Sequence, residues 1–376
     1  MTRLLSDLVA IPSVNPMGRP FGGPGFLEAG MSDYLEAWFR DLGVPCERIT
    51  VSPGRDNLLA RYDAPDSRRT ILFDAHQDTV PTDGMTIPAW TPDVVGGRLY
   101  GRGSCDIKGG MAAMLLAFAR LVRERPAGSA SVVMACTVDE EYTHTGSDHL
   151  ALWPHGADFA IVAEPTGLEI VDRHKGAVRW KIRADGVACH SSTPHLGDNA
   201  IYRMATVVSS LARHACELAG MPPVPMLGTP SLSVGRIEGG VSANVVPDRC
   251  EIDIDRRLLP GETPDAAVDR VRAALGDLRG LTFLPPWVKM PALGPRADDP
   301  WLAPIREAMA GALGREPGVI GVPYGTDAGP LNQAGLPCYV VGPGDIAQAH
   351  TKDEWIELDQ VRAAVDVYYG IARHLG

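Results

Sequence analysis

Apolar residues recur with two different periods in the first half of this chain. Short runs of apolar, mostly β-branched residues at 70–73, 131–134 and 159–162 predict buried strands. Between the first two runs, apolar positions three and four apart over 108–125 predict a helix with one buried face. This alternation is typical of a mostly parallel α/β sheet that helices cover on both faces.

The same alternation returns after residue 300. The patterns there predict a helix over 300–313, a strand over 337–341 and a helix over 358–374. We therefore expect this part of the chain to join the same sheet as the first half.

The middle of the chain has a different pattern. Residues 177–185 and 249–257 alternate between apolar and polar side chains, which predicts two half-buried strands, and helical patterns follow at 199–218 and 264–278. Two strand–helix pairs predict a small α+β domain inserted into the larger one. We place the larger domain at 1–174 and 289–376, and the inserted domain at 175–288.

Composition limits the classes of protein that this chain can represent. With 35 Lys and Arg against 46 Asp and Glu, the formal net charge is −11, and no basic stripe of the kind that binds nucleic acid is present. No run of 18 apolar residues predicts a membrane span. The seven cysteines are widely spaced, which predicts free thiols and not a disulfide framework. We expect a cytoplasmic protein without a nucleic-acid or membrane partner.

Histidines and carboxylates follow the predicted strands of the larger domain where each strand ends. They are His76, Asp78, Asp106, Glu140, Glu141, Glu164 and His350. The carboxyl ends of parallel strands meet at one edge, so we expect one cluster there. A single acid at a strand end is usually a cap, but clustered carboxylates repel one another unless a cation neutralises them. Histidine with carboxylate ligands favours Zn²⁺, with Mn²⁺ or Co²⁺ as alternatives, and two ions with open positions indicate a catalytic site.

Four motifs in chain order carry a family resemblance. Residues 74–81, 101–110, 139–141 and 163–166 resemble the M20 metallopeptidase family, and the similarity extends over essentially the whole chain. The resemblance implies a catalytic domain that holds two zinc ions, and an inserted ferredoxin-like domain that acts as lid and dimerisation domain of a homodimer. It also implies a small N-acylated amino acid or a peptide as substrate.

The resemblance assigns roles to the clustered residues. It implies that His76 and Glu164 bind one zinc ion, that Glu141 and His350 bind the other, and that Asp106 bridges the two. Glu140 would be the general base that activates water, and Asp78 would orient His76. It also implies a cis peptide bond between Asp106 and Ile107.

Residues of the inserted domain match the family as well. His190 is implied to stabilise the oxyanion of the tetrahedral intermediate, either within its own chain or across the dimer. Asn244 and Arg257 are implied to bind substrate, since the planar fork of arginine holds a carboxylate. In the larger domain, Gly342 is the further substrate-binding residue that we predict.

Within the family, residues 323–329 and 342–350, with Asp353 and Glu354, are similar to acetylornithine deacetylases. We therefore expect a hydrolase of the amide bond of an N-acyl amino acid. Ala163 departs from that group, which commonly has glycine there. The alternatives are a carboxypeptidase or dipeptidase, an N-succinyl-diaminopimelate desuccinylase, and a non-catalytic binding protein on the same fold. The complete set of ligands and Glu140 argues against the last.

Overall fold

Strands and helices alternate along the first part of the chain. The computed structural model describes residues 1–23, 25–276 and 279–376. Up to residue 174 the elements are α1 (Thr2–Ala10), α2 (Ala29–Asp41), β1 (Cys46–Ser52), β2 (Arg55–Tyr62), β3 (Thr70–His76), β4 (Asp93–Val95), β5 (Arg98–Tyr100), α3 (Gly109–Glu124), β6 (Ser131–Thr137), α4 (Thr145–Leu152), β7 (Phe159–Val162) and β8 (Ile170–His174). The strands and the helix predicted at 70–73, 131–134, 159–162 and 108–125 are all present.

The remaining elements follow the two other sequence patterns. They are β9 (Gly176–Asp185), β10 (Cys189–His190), α5 (Ala200–Ala219), β11 (Ser231–Gly239), β12 (Val245–Val246), β13 (Arg249–Leu258), α6 (Pro264–Leu275), β14 (Leu281–Phe283), β15 (Val288–Met290), α7 (Leu302–Leu313), β16 (Val319–Val322), α8 (Ala328–Gln333), β17 (Cys338–Val340), β18 (Trp355–Glu357) and α9 (Leu358–His374). The helix predicted over 264–278 ends at Leu275, and its positions 277 and 278 lie outside the described residues.

Eight strands form the large sheet, in the order β1-β2-β6-β3-β7-β17-β8-β16. Its centre is parallel, because β3 pairs in parallel with β6 and β7, and β7 pairs in parallel with β17. The pairs of β1 with β2, β2 with β6 and β17 with β8 are antiparallel. The predicted mixed α/β fold with a mostly parallel centre is confirmed, and the parallel strands end at the edge where the predicted ligands lie.

Helices cover the central strands and bury their apolar side chains. β3, β6 and β7 are buried along their whole length. In the core, the rings of Phe73 on β3 and Tyr368 on α9 lie 5.7 Å apart. Strands buried on both faces explain why their sequences are continuous apolar runs.

The middle of the chain forms a second sheet of different design. Its strand order is β11-β13-β9-β14, with α5 and α6 packed in the same apolar core. Strand, helix, strand, strand, helix, strand in this order is the ferredoxin-like arrangement. On β9, Val178, Trp180 and Ile182 are buried and alternate with half-buried residues, as predicted. The pattern did not predict β11, because most of its residues are exposed.

Contacts divide the chain into two units. The first unit comprises 1–172, 295–320 and 326–376, and the second unit comprises 173–294 and 321–325. The division into a catalytic and a lid domain at 174 and 288 stays a prediction about roles. No helix in the described parts of the chain is long and apolar enough to cross a membrane.

Candidate metal centre

The first unit brings the clustered residues of the sequence to one edge of its sheet. His76 is the last residue of β3, Glu140 and Glu141 lie just after β6, and Glu164 lies two residues after β7. The others come from loops: Asp106 lies in a helical turn, Ser104–Lys108, before α3, and His350 lies ten residues after β17. The edge is formed because β6, β3, β7 and β17 are neighbours in the sheet.

Asp106 lies between the two histidines. His76 Nε2 is 3.2 Å from Asp106 Oδ1, and His350 Nε2 is 3.3 Å from Asp106 Oδ2. One carboxylate therefore presents each of its oxygens to a different imidazole. This is the geometry that a bridging ligand requires.

Three further carboxylates complete the cluster. His76 Nε2 is 3.8 Å from Glu164 Oε1 and 3.9 Å from Glu140 Oε2, and His350 Nε2 is 3.0 Å from Glu141 Oε2. Ligand atoms of His76, Asp106 and Glu141 lie within 4.8 Å of one another, and so do those of His76, Glu140 and Glu164. Glu140 is as close to His76 as Glu164 is, so distance alone does not separate a base from a ligand.

Burial disfavours the charged form of the carboxylates in the cluster. Burial raises the pKa of Glu140, Glu141 and Glu164. Hydrogen bonds to Asp106 and Glu141 raise the pKa of His350 to about 11. Burial acts to lower the pKa of His76, but hydrogen bonds to Asp106 and Asp78 outweigh it and raise the pKa. Bound protons thus balance the carboxylates where a metal ion could do so. Nitrogen and carboxylate ligand atoms that converge on one space fit a divalent cation.

Buried cations near this edge are engaged elsewhere. Arg55 Nη1 lies 3.0 Å from Glu28 Oε1 and 2.6 Å from Asp139 Oδ1. The Lys108 ammonium donates to the carbonyl of Ile11 at 2.7 Å, and burial lowers its pKa to about 7. Neither side chain supplies the charge that the cluster of carboxylates requires.

Asp78 is fully buried and joins two loops of the site. Its carboxylate accepts hydrogen bonds from the backbone N–H groups of Glu140 and Glu141 at 3.1 Å each, and from Asn15 Nδ2 at 2.8 Å. The Nδ1 atom of His76 lies 2.9 Å from the backbone carbonyl of Asp78 and 3.5 Å from its carboxylate. Asp78 thus holds the Glu140–Glu141 turn and contacts His76 mainly through its backbone.

The peptide bond between Asp106 and Ile107 is cis, as the family resemblance predicts. Both residues have non-helical backbone angles within the turn that leads into α3.

A buried polar network behind Glu140 was not predicted. His144 Nδ1 lies 3.4 Å from Asp327 Oδ1 and 3.7 Å from Glu140 Oε1. The hydroxyl of Thr137 lies 2.8 Å from Asp327 Oδ2 and 2.9 Å from Asp74 Oδ1. Asp327 lies within the segment 323–329, which at the level of sequence served only to assign the branch of the family. Its position in that motif was the one sequence feature that could have indicated a place in the site.

Gly342 lies against the backbone of Glu164. A Cβ atom at position 342 would be 2.4 Å from the Glu164 carbonyl oxygen, closer than any real contact. The Gly342 N–H donates to Thr166 Oγ1 at 3.1 Å, which ties the two loops together. The residue predicted to bind substrate therefore also fixes the loop of a predicted ligand.

The second unit contains the remaining predicted site residues. β10 pairs with β12, so His190 lies opposite Val245, and the N–H of Ser191 donates to the carbonyl of Asn244 at 3.0 Å. His190 and Asn244 are therefore neighbours, and both are exposed. Arg257, near the end of β13, is half-buried, and its Nε donates to Asp255 Oδ1 at 2.8 Å.

Two groups of Ser192 contact His190 Nδ1. The Ser192 N–H donates to it at 3.1 Å, and the Ser192 hydroxyl lies 2.7 Å from it. When Nδ1 accepts, as it does from this N–H, the neutral ring carries its proton on Nε2 and offers a donor there.

Comparison with known proteins identifies the family. The family model of Peptidase family M20/M25/M40 matches residues 72–374. An acetylornithine deacetylase of Vibrio campbellii is 32% identical over 352 residues, which cover 90% of this chain and 89% of that protein. The protein named Probable carboxypeptidase AN5749, from Emericella nidulans, is 31% identical over 382 residues, which cover 96% and 86%.

Solved structures share the fold. The M20 family metallo-carboxypeptidase Sso-CP2 of Sulfolobus solfataricus aligns with a TM-score of 0.79 at 19% identity, covering 100% of this chain and 98% of that one. The aminopeptidase PepT of Bacillus cereus aligns with a TM-score of 0.76 at 22% identity, covering 100% and 97%. With the family match over most of the chain and the relatives above 30% identity, the chain belongs to the M20 family of peptidases.

Proposed function

We propose that this M20 hydrolase cleaves the amide bond of an N-acyl amino acid and resembles acetylornithine deacetylases in its reaction. The observation that carries the proposal is the position of Asp106, whose two oxygens face His76 and His350 at 3.2 and 3.3 Å. The relatives at 32% identity that are named acetylornithine deacetylases support this substrate class.

Two metal ions would be held by this chain's own side chains. His76 and Glu164 would bind one ion, Glu141 and His350 would bind the other, and Asp106 would lie between them. Zinc suits these ligands best, and Co²⁺ or Mn²⁺ would substitute for it. Zinc at such a centre acts as a Lewis acid and lowers the pKa of water to about 7.

Glu140 would move the proton. Its carboxylate lies beside the ligand cluster, 3.9 Å from His76 Nε2, and its backbone N–H is held by Asp78. A carboxylate at this point can take the proton of the attacking water and then give it to the leaving amine. Glu140 is therefore the general base and then the general acid of the proposed reaction.

The second unit would bind the substrate and stabilise the oxyanion. The Nε2–H of His190 is a suitable donor to a developing negative charge. Asn244, whose carbonyl accepts from the N–H of Ser191 next to His190, would add a polar contact. Arg257 would bind the substrate carboxylate, for which it would exchange its contact with Asp255. In the first unit, Gly342 would give the substrate close access to the backbone beside Glu164.

The second unit would also form a homodimer. Exposed large apolar side chains are more frequent on it than on the first unit, and exposed apolar surface supports a role in interaction. Those of the second unit are Val187, Leu196, Ile201, Tyr202, Met221, Met226, Ile237 and Val241. The unpaired state of the seven cysteines supports a cytoplasmic location.

Mixed dimers test whether His190 acts across the interface. Glu140→Gln and His190→Ala chains are each expected to be inactive alone. If His190 acts across the interface, a mixed dimer has one site that contains both an intact Glu140 and an intact His190. Random exchange places the two variants together in half of the dimers. The mixture would therefore regain about a quarter of wild-type activity. Inactivity of the mixture, with exchange of chains verified, would place His190 in the site of its own chain.

A carboxypeptidase or dipeptidase is the second candidate. The relative named Probable carboxypeptidase AN5749 covers more of this chain than the deacetylases do. An exopeptidase of this kind would use the same centre and the same carboxylate contact, and it would differ in the group on the acyl side of the scissile bond.

A substrate panel with metal analysis tests the proposal. The purified chain, depleted of metal and then loaded with zinc, should hydrolyse N-acetylornithine faster than N-succinyl-diaminopimelate or a set of dipeptides. Faster cleavage of the dipeptides would favour the second candidate. A protein that binds no zinc and has no zinc-dependent activity on any of these substrates would overturn both.

A further inference from the structure

Glu354 has a role that the reaction proposed above does not use. It lies four residues after His350 and is completely buried. Its carboxylate accepts four hydrogen bonds, two on each oxygen. Oε2 accepts from Arg102 Nη1 at 2.7 Å and from the N–H of Gly103 at 2.9 Å. Oε1 accepts from the N–H groups of Cys105 and Asp106 at 2.9 and 3.0 Å.

These four donors match an ionised Glu354 carboxylate, although burial raises the pKa of this group. An ionised carboxylate has about four acceptor sites and no donor, so it matches four donors, whereas a protonated carboxyl would direct its O–H at one of them. Arg102 supplies the compensating charge, because its Nη1 lies 2.7 Å from Glu354 Oε2. The side chains of Arg102 and Glu354 are only 3% and 1% exposed, so water contributes little. Such charge-assisted hydrogen bonds are among the strongest in proteins.

The three backbone donors belong to the turn that carries Asp106. Asp106 and Ile107 have non-helical backbone angles, so this turn does not satisfy its own N–H groups as a regular helix does. Glu354 satisfies three of them, and its own carbonyl accepts from the N–H of Gly101 at 3.0 Å. The turn is thus shaped around one side chain from a distant part of the chain.

The same short segment carries His350. Residues 350–354 therefore connect one histidine of the centre to the loop of the carboxylate that lies between both histidines. All four acceptor sites of Glu354 are occupied, so it is not available as a ligand. We propose that Glu354 is a positioning residue that sets where Asp106 stands relative to His350, and that it thereby determines the affinity and geometry of the metal centre.

This inference rests on the proposed function, because it assumes that Asp106 and His350 bind metal. The test is a titration of the full-length, metal-free chain with cobalt(II) chloride, followed by visible absorption, and with zinc chloride, followed by calorimetry. The absorption bands of cobalt report ligand geometry, which a general loss of stability in a folded protein does not change.

Three variants separate positioning from bulk stability. Glu354→Gln keeps the shape but places an NH₂ group against two donors, so we expect metal affinity to fall 10- to 100-fold and the cobalt bands to shift. Glu354→Asp keeps the charge but withdraws the carboxylate by about 1.5 Å, so an intermediate loss is expected. Glu357→Gln is the matched control: it removes a half-buried ion pair with Arg98 in the same segment and should leave both readouts at wild-type values.

The outcomes distinguish the two hypotheses. If the wild type binds neither cobalt nor zinc, the proposed function fails. If the wild type binds metal and a folded Glu354→Gln chain binds it with the same affinity and the same spectrum, the positioning role is wrong. If Glu354→Gln does not fold, Glu354→Asp decides the question, since wild-type affinity and spectrum in that variant would equally overturn the role.

Discussion

The two units differ in how they hold most of their predicted site residues. In the first unit, His76, Asp106 and Glu164 are only 2%, 7% and 5% exposed and lie within 4 Å of one another or of a common partner, and the side chain of His350 is the more open member at 53% exposure. In the second unit, His190 and Asn244 are exposed and contact mainly their own loops. A buried, connected set is preorganised to bind an ion, whereas an exposed set is available to substrate or to a second copy. Substitutions in the first unit should therefore change metal binding, and those in the second should change turnover or substrate binding without changing metal binding.

Glu140→Gln should produce the largest effect and is the informative exception in the first unit. Removal of a general base lowers kcat by about 10²- to 10⁴-fold, while zinc binding should stay near the wild-type value because Glu140 is not assigned as a ligand. Steady-state kinetics with metal analysis by mass spectrometry measures both. The control is Glu316→Gln, an exposed glutamate of the same unit. A parallel loss of zinc would make Glu140 a ligand and remove its role as base.

His190→Ala tests the second unit directly. Loss of one oxyanion donor lowers kcat by about 10²- to 10³-fold, and the zinc content should not change, because His190 is not among the clustered residues. His195→Ala, another exposed histidine of the same unit, is the control and should retain activity. If His190→Ala lost zinc, the proposed division of metal binding and catalysis between the two units would be wrong.

Gly342→Ala should weaken metal binding without removing a side chain. The added Cβ atom would lie 2.4 Å from the Glu164 carbonyl oxygen and must displace that loop. Loss of the contacts that orient a metal ligand lowers metal affinity by about 10- to 100-fold. Zinc calorimetry measures this affinity. Gly311→Ala on α7 is the control, because a Cβ atom there meets no atom within 4 Å. Unchanged zinc affinity in Gly342→Ala, with a normal KM, would leave this glycine without a role in the site.

Glu28→Gln should have the smallest effect and concerns stability. Burial, together with the charge of Asp78, raises the pKa of Glu28 to about 8, above the ordinary value of 4.5. Between these values the folded protein holds a proton that the unfolded chain releases, so this group's contribution to stability is lost as the pH rises from 5 to 8. Glu28 contributes at most about 1.4 kcal/mol per pH unit to the decrease of the free energy of unfolding with pH.

Urea unfolding of metal-free protein at several pH values measures that slope. The Glu28→Gln chain should show a flatter decline of stability between pH 5 and 8 than the wild type. Glu47→Gln, an exposed glutamate on β1, should leave the wild-type slope in place. An identical slope in Glu28→Gln and wild type would mean that Glu28 is ionised in the folded protein and paired with Arg55.

Patterns with strong local signals were predictable from the sequence. The apolar run at 159–162 and the helical spacing over 358–374 match β7 and α9 residue for residue. A fully buried strand gives a continuous apolar run, and a helix with one buried face gives apolar residues at a regular spacing. β11 was not predicted, since its largely exposed residues leave no such period. The cis bond after Asp106 was predicted from the family resemblance alone.

The supporting contacts of the site have no local signal. Asn15 bonds to Asp78 and to Asp139, which lie 63 and 124 positions away, and nothing near Asn15 in the sequence indicates either partner. Glu354 was noted only as part of a motif, and its four donors became visible once residues 102–106 were placed beside it. A single sequence shows which residues can bind metal, but it does not show which residues hold them in place.

The separation of these partners along the chain has a consequence for biosynthesis. His350 contacts Glu141 across 209 positions, and Glu354 contacts Arg102 across 252. During translation, β3, β6 and β7 are complete long before residues 350–354 leave the ribosome, so the nascent chain carries clustered carboxylates without their second histidine. Contacts of such long range also form slowly. The centre can therefore load its full complement of metal only after most of the chain has been made, and a released chain that stops at residue 340 should bind fewer ions than the full chain.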